Sequence, residues 1–229
     1  MQAVIMGGTS GIGLAVATRL TKAGITTTVT GRDPERLAAA GNQVAVAERL
    51  DSTVEDDVRA FFERTGPFDH LVLAFGPGMT GFGPLKSLTT ERIRDVVDSK
   101  LHGYLTAIRH AQVTASITML SAGSARVARP GTVTLAAANG GIERAVPPLA
   151  VELAPVRVNA VSPGVIDTSW WAGLPGEQRE AQFAAVAEAA PAGRVGRPDD
   201  VAMAVEYLIN ADYVTGTVLP VDGGLTLPR

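Results

Sequence analysis

The chain has 229 residues, of which 46% are hydrophobic, and this is enough to bury one large core in a single α/β domain. It contains no cysteine, so disulfide bonds and thiolate chemistry are excluded. A net charge of −3 gives no basic surface of the kind that binds nucleic acid, and no apolar run reaches the length of about 18 residues that suggests a membrane span. With a strand predicted from residue 2, no signal peptide is expected, and a cytoplasmic protein is the default.

The first predicted elements are a short apolar strand at 2–6, a glycine-rich turn at 7–13 and an amphipathic helix. Glycine lets a ligand approach the backbone closely, and the free N–H groups at the start of a helix attract phosphate. This order of elements predicts a dinucleotide-binding turn. Glycines are also common in tight turns that bind nothing, which is the alternative.

The rest of the chain alternates between apolar, β-branched runs and segments with helical spacing. Strands are predicted at 2–6, 25–30, 43–47, 68–75, 116–121, 156–161 and 216–220, and helices at 11–23, 34–41, 54–64, 89–112, 131–153 and 198–210. Such alternation predicts βαβ units, a parallel sheet and helices on both of its faces. No linker divides the chain, so one domain spanning 1–229 is expected.

The segment 168–191 breaks the alternation and carries Trp170, Trp171 and Phe183. Ligands of parallel sheets bind outside the carboxyl ends of the strands, where this segment begins. We predict that it forms a lid over a substrate pocket and that the substrate is apolar or aromatic. A plain surface hairpin with its aromatic side chains tucked inward is the alternative.

Four segments carry distinctive motifs: the glycine turn, Leu73-Ala74-Phe75-Gly76, the segment from Arg157 to Gly164, and Val221-Asp222-Gly223-Gly224. In their order and spacing the chain resembles the classical short-chain dehydrogenase/reductase family over essentially its whole length, with Leu73-Ala74-Phe75-Gly76 in place of the family's Asn-Asn-Ala-Gly. The resemblance implies a doubly wound parallel sheet of about seven strands in a Rossmann-like domain. It also implies a nicotinamide cofactor and assembly as a homodimer or homotetramer.

The residues that the resemblance places against the cofactor come from five loops. They are Gly7, Thr9, Ser10, Gly11, Ile12, Gly13, Arg32, Asp51, Ala74, Gly76, Pro163, Gly164, Ile166 and Thr168. An acidic residue at the end of the second strand would bind both ribose hydroxyls of NAD, but Gly31 and Arg32 stand there. Arginine pairs with a 2′-phosphate, so NADP(H) is favoured over NAD(H). Asp33 could itself reach the ribose, and Arg32 could merely cap the turn, which keeps NAD as the alternative.

The family's reaction uses a serine, a tyrosine, a lysine and an asparagine. Ser121 ends the fifth strand at the serine position. The family's intervals of thirteen and seventeen residues, counted from Ser121, lead to Thr134 and Ala138, so the tyrosine and the lysine are missing. Lys100 takes the asparagine position.

A threonine hydroxyl is not a practical acid near neutral pH, whereas an ammonium has a reference pKa of about 10.4, close to the value of about 10 for tyrosine. We predict that Lys100 supplies the missing cation, at the ribose or the carbonyl oxygen, and that Ser121 polarises the substrate. The alternative is that Lys100 fills space with its aliphatic chain. Tyr104 is expected to pack, and Asn139 could replace the lost ribose contact only if the helix register shifts.

Three function classes remain. The first is an atypical NADP(H)-dependent oxidoreductase that acts on a carbonyl or alcohol group of a small molecule. The second is a catalytically silent dinucleotide-binding protein, and the third is a lyase or isomerase that reuses the pocket. The intact glycine turn and the Pro163-Gly164 turn favour the first two over the third. No metal site, nucleic-acid partner or membrane partner is expected.

Overall fold

Seven parallel strands form one sheet in the order β3-β2-β1-β4-β5-β6-β7. They are β1 (Gln2–Met6), β2 (Thr26–Gly31), β3 (Val46–Arg49), β4 (Phe68–Leu73), β5 (Val113–Leu120), β6 (Arg157–Pro163) and β7 (Val218–Val221). The structure is a computed structural model and describes residues 1–228. The strand order changes direction between β1 and β4, and ligands of open parallel sheets bind at the crevice that such a change creates. The predicted doubly wound sheet is confirmed.

Eight α-helices accompany the sheet in the described part of the chain. They are α1 (Gly11–Lys22), α2 (Pro34–Gly41), α3 (Glu55–Thr65), α4 (Thr90–Val96), α5 (Gly103–His110), α6 (Val133–Glu152), α7 (Gly176–Ala189) and α8 (Pro198–Asn210). The single helix predicted at 89–112 is α4 and α5 joined by a π-helical segment, Val97–His102. None of the helices within residues 1–228 is long and apolar enough to cross a bilayer.

The core consists of two layers because both faces of the sheet are covered. Along β1, Val4 and Met6 belong to the layer under α3, α5 and α6, whereas Ala3 and Ile5 belong to the layer under α1 and α8. Successive side chains of a strand point to opposite faces, so a strand buried on both sides needs a continuous apolar run. This requirement explains why the strands could be predicted from hydrophobicity.

Candidate functional site

A cavity of about 1510 Å³ lies at the carboxyl ends of the strands. Its walls come from the turns after β1, β2, β4, β5 and β6, from the π-helical segment, and from one face of α6. Of the sixteen residues predicted from the sequence to form the site, fifteen line this cavity, including Ser121 and Lys100, and Asp51 does not. The topology therefore places the predicted cofactor and reaction residues around one space.

The turn after β1 is closely packed, and its glycines are required for that packing. A Cβ added to Gly7 would lie 2.7 Å from the backbone nitrogen of Phe75, and one added to Gly13 would lie 2.2 Å from the carbonyl oxygen of Gly7. Helix α1 then begins at Gly11, and the Ser10 side chain does not cap it. The first N–H groups of α1 are left free to bind an anion, which is the geometry of a diphosphate site.

At the turn after β2, the Asp33 carboxylate is occupied by hydrogen bonds from the backbone. One Asp33 carboxylate oxygen accepts hydrogen bonds from the backbone N–H groups of Glu35 (2.9 Å) and Arg36 (3.1 Å), so Asp33 caps α2. Arg32 is exposed beside it in the cavity wall and caps nothing. A carboxylate that is already committed to two N–H groups is a poor partner for ribose hydroxyls.

Asp51 lies in a smaller neighbouring cavity of about 490 Å³, which Arg32 also lines. The Asp51 carboxylate accepts hydrogen bonds from the Thr53 backbone N–H (3.0 Å) and hydroxyl (2.7 Å). Burial works to raise the pKa of Asp51, but these hydrogen bonds and two nearby arginines lower it below its ordinary value. Leu50 and Ser52, on either side of Asp51, line the large cavity instead.

The segment 168–191 forms the wall opposite the strands. It contains a short 3₁₀ helix, Ser169–Gly173, and then α7. Trp170 and Trp171 both line the cavity, with their ring centres 4.5 Å apart in an edge-to-face arrangement. The Trp171 indole N–H donates to the backbone carbonyl of Ile166 at 3.0 Å, which fixes this wall to the turn after β6. This wall is mixed, with apolar and polar residues that line the cavity: Trp170, Trp171, Leu174, Thr168, Ser169, Gln178 and Gln182.

Lys100 is a partly buried lysine in the cavity wall. Its aliphatic chain lies against Gly76, because a Cβ at Gly76 would be 3.4 Å from Lys100 Cδ and 4.0 Å from Nζ. The Lys100 amine makes no hydrogen bond or ion pair with any residue between 1 and 228. Burial lowers the pKa of this amine to about 8. The π-helical segment that carries Lys100 is a rare conformation, and such segments occur often at functional sites.

The face of α6 that borders the cavity differs from the sequence prediction. Leu135 and Asn139 line the cavity, whereas Thr134 and Ala138 do not. Thr134 is buried and donates its hydroxyl to the carbonyl of Gly81 at 2.8 Å. The predicted register of α6 is thus wrong by one residue. The run Leu135-Ala136-Ala137-Ala138 offered no polar side chain to fix it.

The corrected register changes which residues replace the family's reactive groups. Leu135 and Asn139 have the four-residue separation of the tyrosine and the lysine, and the same intervals counted backwards lead to Ala122 at the serine position. The asparagine position holds Lys100, and the lysine position holds Asn139. By this count, asparagine and lysine are exchanged between the two helices relative to the family's pattern. Both residues still line the cavity.

Ser121 is tied to a buried carboxylate that the sequence analysis did not predict. Its hydroxyl donates to Glu143 Oε1 at 2.8 Å, and the Ser162 hydroxyl donates to the same oxygen at 2.8 Å. The other carboxylate oxygen accepts from Arg126 Nε at 3.0 Å. Glu143 lies one helical turn after Asn139 on α6, so these two polar side chains share one face of a largely apolar helix. This pattern is the feature of the sequence that could have indicated a role for Glu143.

Tyr104 lies one turn beyond Lys100 but plays a structural part. Its hydroxyl shares one proton between the carbonyls of Phe75 (3.1 Å) and Leu120 (3.2 Å), and its ring packs edge-to-face on Phe75. Burial raises the pKa of its phenol far above the ordinary value. Tyr104 therefore holds its proton, and its predicted packing role agrees with these contacts.

Comparison with known proteins identifies the family. The family model described as enoyl-(acyl carrier protein) reductase matches residues 7–226. A short-chain dehydrogenase/reductase of Stachybotrys chlorohalonatus is 31% identical over 98% of this chain and 96% of its own length. The chain belongs to the short-chain dehydrogenase/reductase family.

Two further members of this oxidoreductase family show how far the similarity extends. A putative ketoacyl reductase of granaticin polyketide synthase, from Streptomyces violaceoruber, is 35% identical and covers 98% of this chain and 96% of its own length. A crystal structure of a small-chain dehydrogenase in complex with NADPH superposes with a TM-score of 0.86 at 32% identity, covering 100% of this chain and 99% of the other.

Proposed function

We propose that the protein is an NADP(H)-dependent oxidoreductase that reduces a carbonyl group, or oxidises the matching alcohol, in a small apolar or aromatic molecule. The observation that carries this proposal is Lys100, a partly buried lysine whose amine has no counter-charge within residues 1–228 and which lines the same cavity as the glycine turn. A cation there replaces the one that the family normally places on the helix corresponding to α6.

The residues of this chain fit the cofactor. The glycine turn at Gly7 to Gly13 and the free N–H groups of α1 suit the diphosphate, and Arg32 suits a 2′-phosphate because Asp33 is committed to capping α2. Asn139 has a buried Oδ1 without a hydrogen-bond partner among residues 1–228, so it is available to a donor such as a ribose hydroxyl. The NADPH complex of the small-chain dehydrogenase supports the same choice of cofactor.

The reduced nicotinamide, when bound, supplies the hydride that forms the new C–H bond. Lys100 is proposed to donate the accompanying proton to the carbonyl oxygen as the C=O double bond becomes a C–O single bond. A pKa of about 8 lets the amine hold its proton at neutral pH and still release it readily. Ser121, predicted to polarise the same oxygen, has its own proton committed to Glu143. The aromatic wall of Trp170 and Trp171 would hold an apolar substrate.

A second candidate is a dinucleotide-binding protein without turnover. Leu135 favours it, because a leucine stands on the cavity face of α6 at the position from which the family's tyrosine donates its proton. The two candidates differ in whether bound NADPH is consumed.

Titration with NADPH and NADH, followed by a panel of aromatic and cyclic ketones monitored for loss of NADPH absorbance, separates the candidates. We expect tighter binding of NADPH than of NADH, and oxidation of NADPH by at least one ketone. Arg32→Ala should weaken NADPH binding about 10- to 100-fold, the range expected for the loss of charged hydrogen bonds to phosphate, and leave NADH binding nearly unchanged.

Arg59→Ala is the matched control, because Arg59 is an exposed arginine of α3 outside the cavity. Binding of NADPH without oxidation by any ketone would support the second candidate. Failure to bind either nucleotide would contradict both candidates.

We also infer that the chain assembles as a homodimer or homotetramer through α4, α5 and α6, as the family resemblance implies. Leu105 on α5 and Val151 on α6 support this, because they are large apolar side chains with exposed fractions of 40% and 80%.

A further inference from the structure

We infer that Ser124, and not Ser121, is the hydroxyl that hydrogen-bonds the carbonyl oxygen of the substrate. The inference rests on the proposed function, because it assigns a residue to the same reaction. It follows from identifying the acceptor of each serine hydroxyl proton in the cavity wall after β5.

A serine hydroxyl has one proton to donate. The proton of Ser121 goes to Glu143 Oε1 at 2.8 Å, and the next acceptor, the carbonyl of Val161, lies at 3.4 Å. Hydrogen bonds to a carboxylate are about twice as strong as those to a neutral group. A substrate carbonyl is neutral, so it cannot compete for this proton without leaving Glu143 one partner short. Ser121 is 3% exposed, which also limits access to it.

Ser124 has the opposite arrangement. Its oxygen accepts a hydrogen bond from Asn139 Nδ2 at 3.1 Å, and its own proton has no acceptor within residues 1–228. Ser124 is half-buried, lies in the 3₁₀ turn Gly123–Ala125 and lines the cavity. An accepted hydrogen bond fixes the position of the oxygen and leaves the O–H free to point into the cavity. This is the arrangement of a preorganised donor.

The two helices that exchanged asparagine and lysine therefore act together. Asn139 holds the Ser124 hydroxyl in position, and Lys100 supplies a positive charge. The carbonyl oxygen of the substrate then receives one hydrogen bond from a neutral donor and one from a cationic donor. Toward the substrate, Asn139 is a positioning residue, because its Nδ2 acts through Ser124. Glu143 holds Ser121, Ser162 and Arg126 together behind the wall and keeps the turn after β5 in place.

The test uses 1-indanone labelled with ¹³C at its carbonyl, bound to the complex of the full chain with NADP⁺. This ketone has one polar group and an aromatic ring that suits the tryptophan wall. A hydrogen bond lowers the stretching frequency of a carbonyl, so infrared spectra report the donors directly and without turnover. We expect Ser124→Ala to raise the frequency relative to the wild type, and Ser124→Thr, which keeps a hydroxyl, to restore most of the lowering.

Turnover gives a second readout. Ser124→Ala should lower kcat about 10²- to 10³-fold, the loss typical when one preorganised donor to a developing oxyanion is removed. Ser121→Ala should lower the melting temperature, because it removes a partner of the buried Glu143, and its kcat loss should be much smaller. Ser87→Ala is the control, because Ser87 is an exposed serine outside the cavity.

The outcomes separate this inference from the proposed function. If Ser121→Ala raises the carbonyl frequency and abolishes turnover while Ser124→Ala behaves like the wild type, the function stands and Ser124 is excluded. If neither serine variant changes the frequency or kcat, Ser124 is excluded as well. If the wild type binds neither NADPH nor any ketone, the proposed function fails and this inference fails with it.

Discussion

Lys100 carries its charge in a partly buried position of the cavity wall. Its pKa of about 8 in the folded protein lies below the ordinary value of 10.5 because burial penalises the charged form. The unfolded chain therefore binds more protons than the folded chain between these two values, and stability rises with pH across that window. Below pH 8 the full penalty applies, so Lys100 destabilises the fold at neutral pH.

Lys100→Met tests this account, with Lys22→Met, an exposed lysine outside the cavity, as its control. The variant should lose ketone reduction and gain stability at pH 7, by at most about 3 kcal/mol in the free energy of unfolding. In the wild type, reduction should fall as the pH rises above about 8, because the amine loses its proton. Urea unfolding and a pH–rate profile measure the two effects. If Lys100 only fills space, Lys100→Met should instead lower the free energy of unfolding, and the pH–rate profile should not change.

At the scale of elements, the segment 168–191 is held to the sheet by few contacts. Trp171 donates to the carbonyl of Ile166 and packs edge-to-face on Phe183 of α7, with 5.8 Å between ring centres. Arg179 adds an exposed ion pair to Asp167 at 2.6 Å, and exposed pairs contribute little. Val186 of α7 is buried as well, so Trp171 is one of the anchors of this segment and not the only one.

Trp171→Phe should loosen α7 because it removes the indole hydrogen bond and part of the ring contact. We expect faster amide hydrogen exchange in Gly176–Ala189 and a KM for aromatic ketones several-fold higher, with NADPH affinity nearly unchanged. Tyr213→Phe is the control, because Tyr213 is fully exposed and lies outside the cavity. Unchanged exchange in α7 would show that Trp171 does not anchor a lid.

The sequence predicted most strands and helices, because a sheet covered on both faces requires continuous apolar runs. β3 differs, since it was predicted at 43–47 but spans Val46–Arg49, and none of its residues is fully buried. It could not predict the site to the residue. The alanine run in α6 allows two registers, and only packing of Thr134 against Gly81 selects one. Likewise, the π-helical segment at Val97–His102 and the pairing of Glu143 with two serines depend on contacts between elements far apart in the chain. Spacing alone does not contain that information.

At the scale of the molecule, the assembly is a prediction that follows from helices α5 and α6. Leu105 and Val151 are exposed on them. We expect sedimentation velocity to give the mass of a dimer or tetramer, and the double variant Leu105→Glu with Val151→Glu to shift the protein towards monomer. Met203→Glu is the control, because Met203 is an exposed apolar residue on the distant helix α8. A wild-type chain that sediments at the mass of one copy would contradict the prediction.

The chain has two tryptophans, and they are neighbours in the aromatic wall. Nearly all of the intrinsic ultraviolet emission of the protein therefore originates within a few ångströms of the place where a guest molecule would sit. Binding of a guest can therefore be followed by intrinsic fluorescence, without a label or a coupled assay. The emission would respond to a guest even in a variant that performs no chemistry.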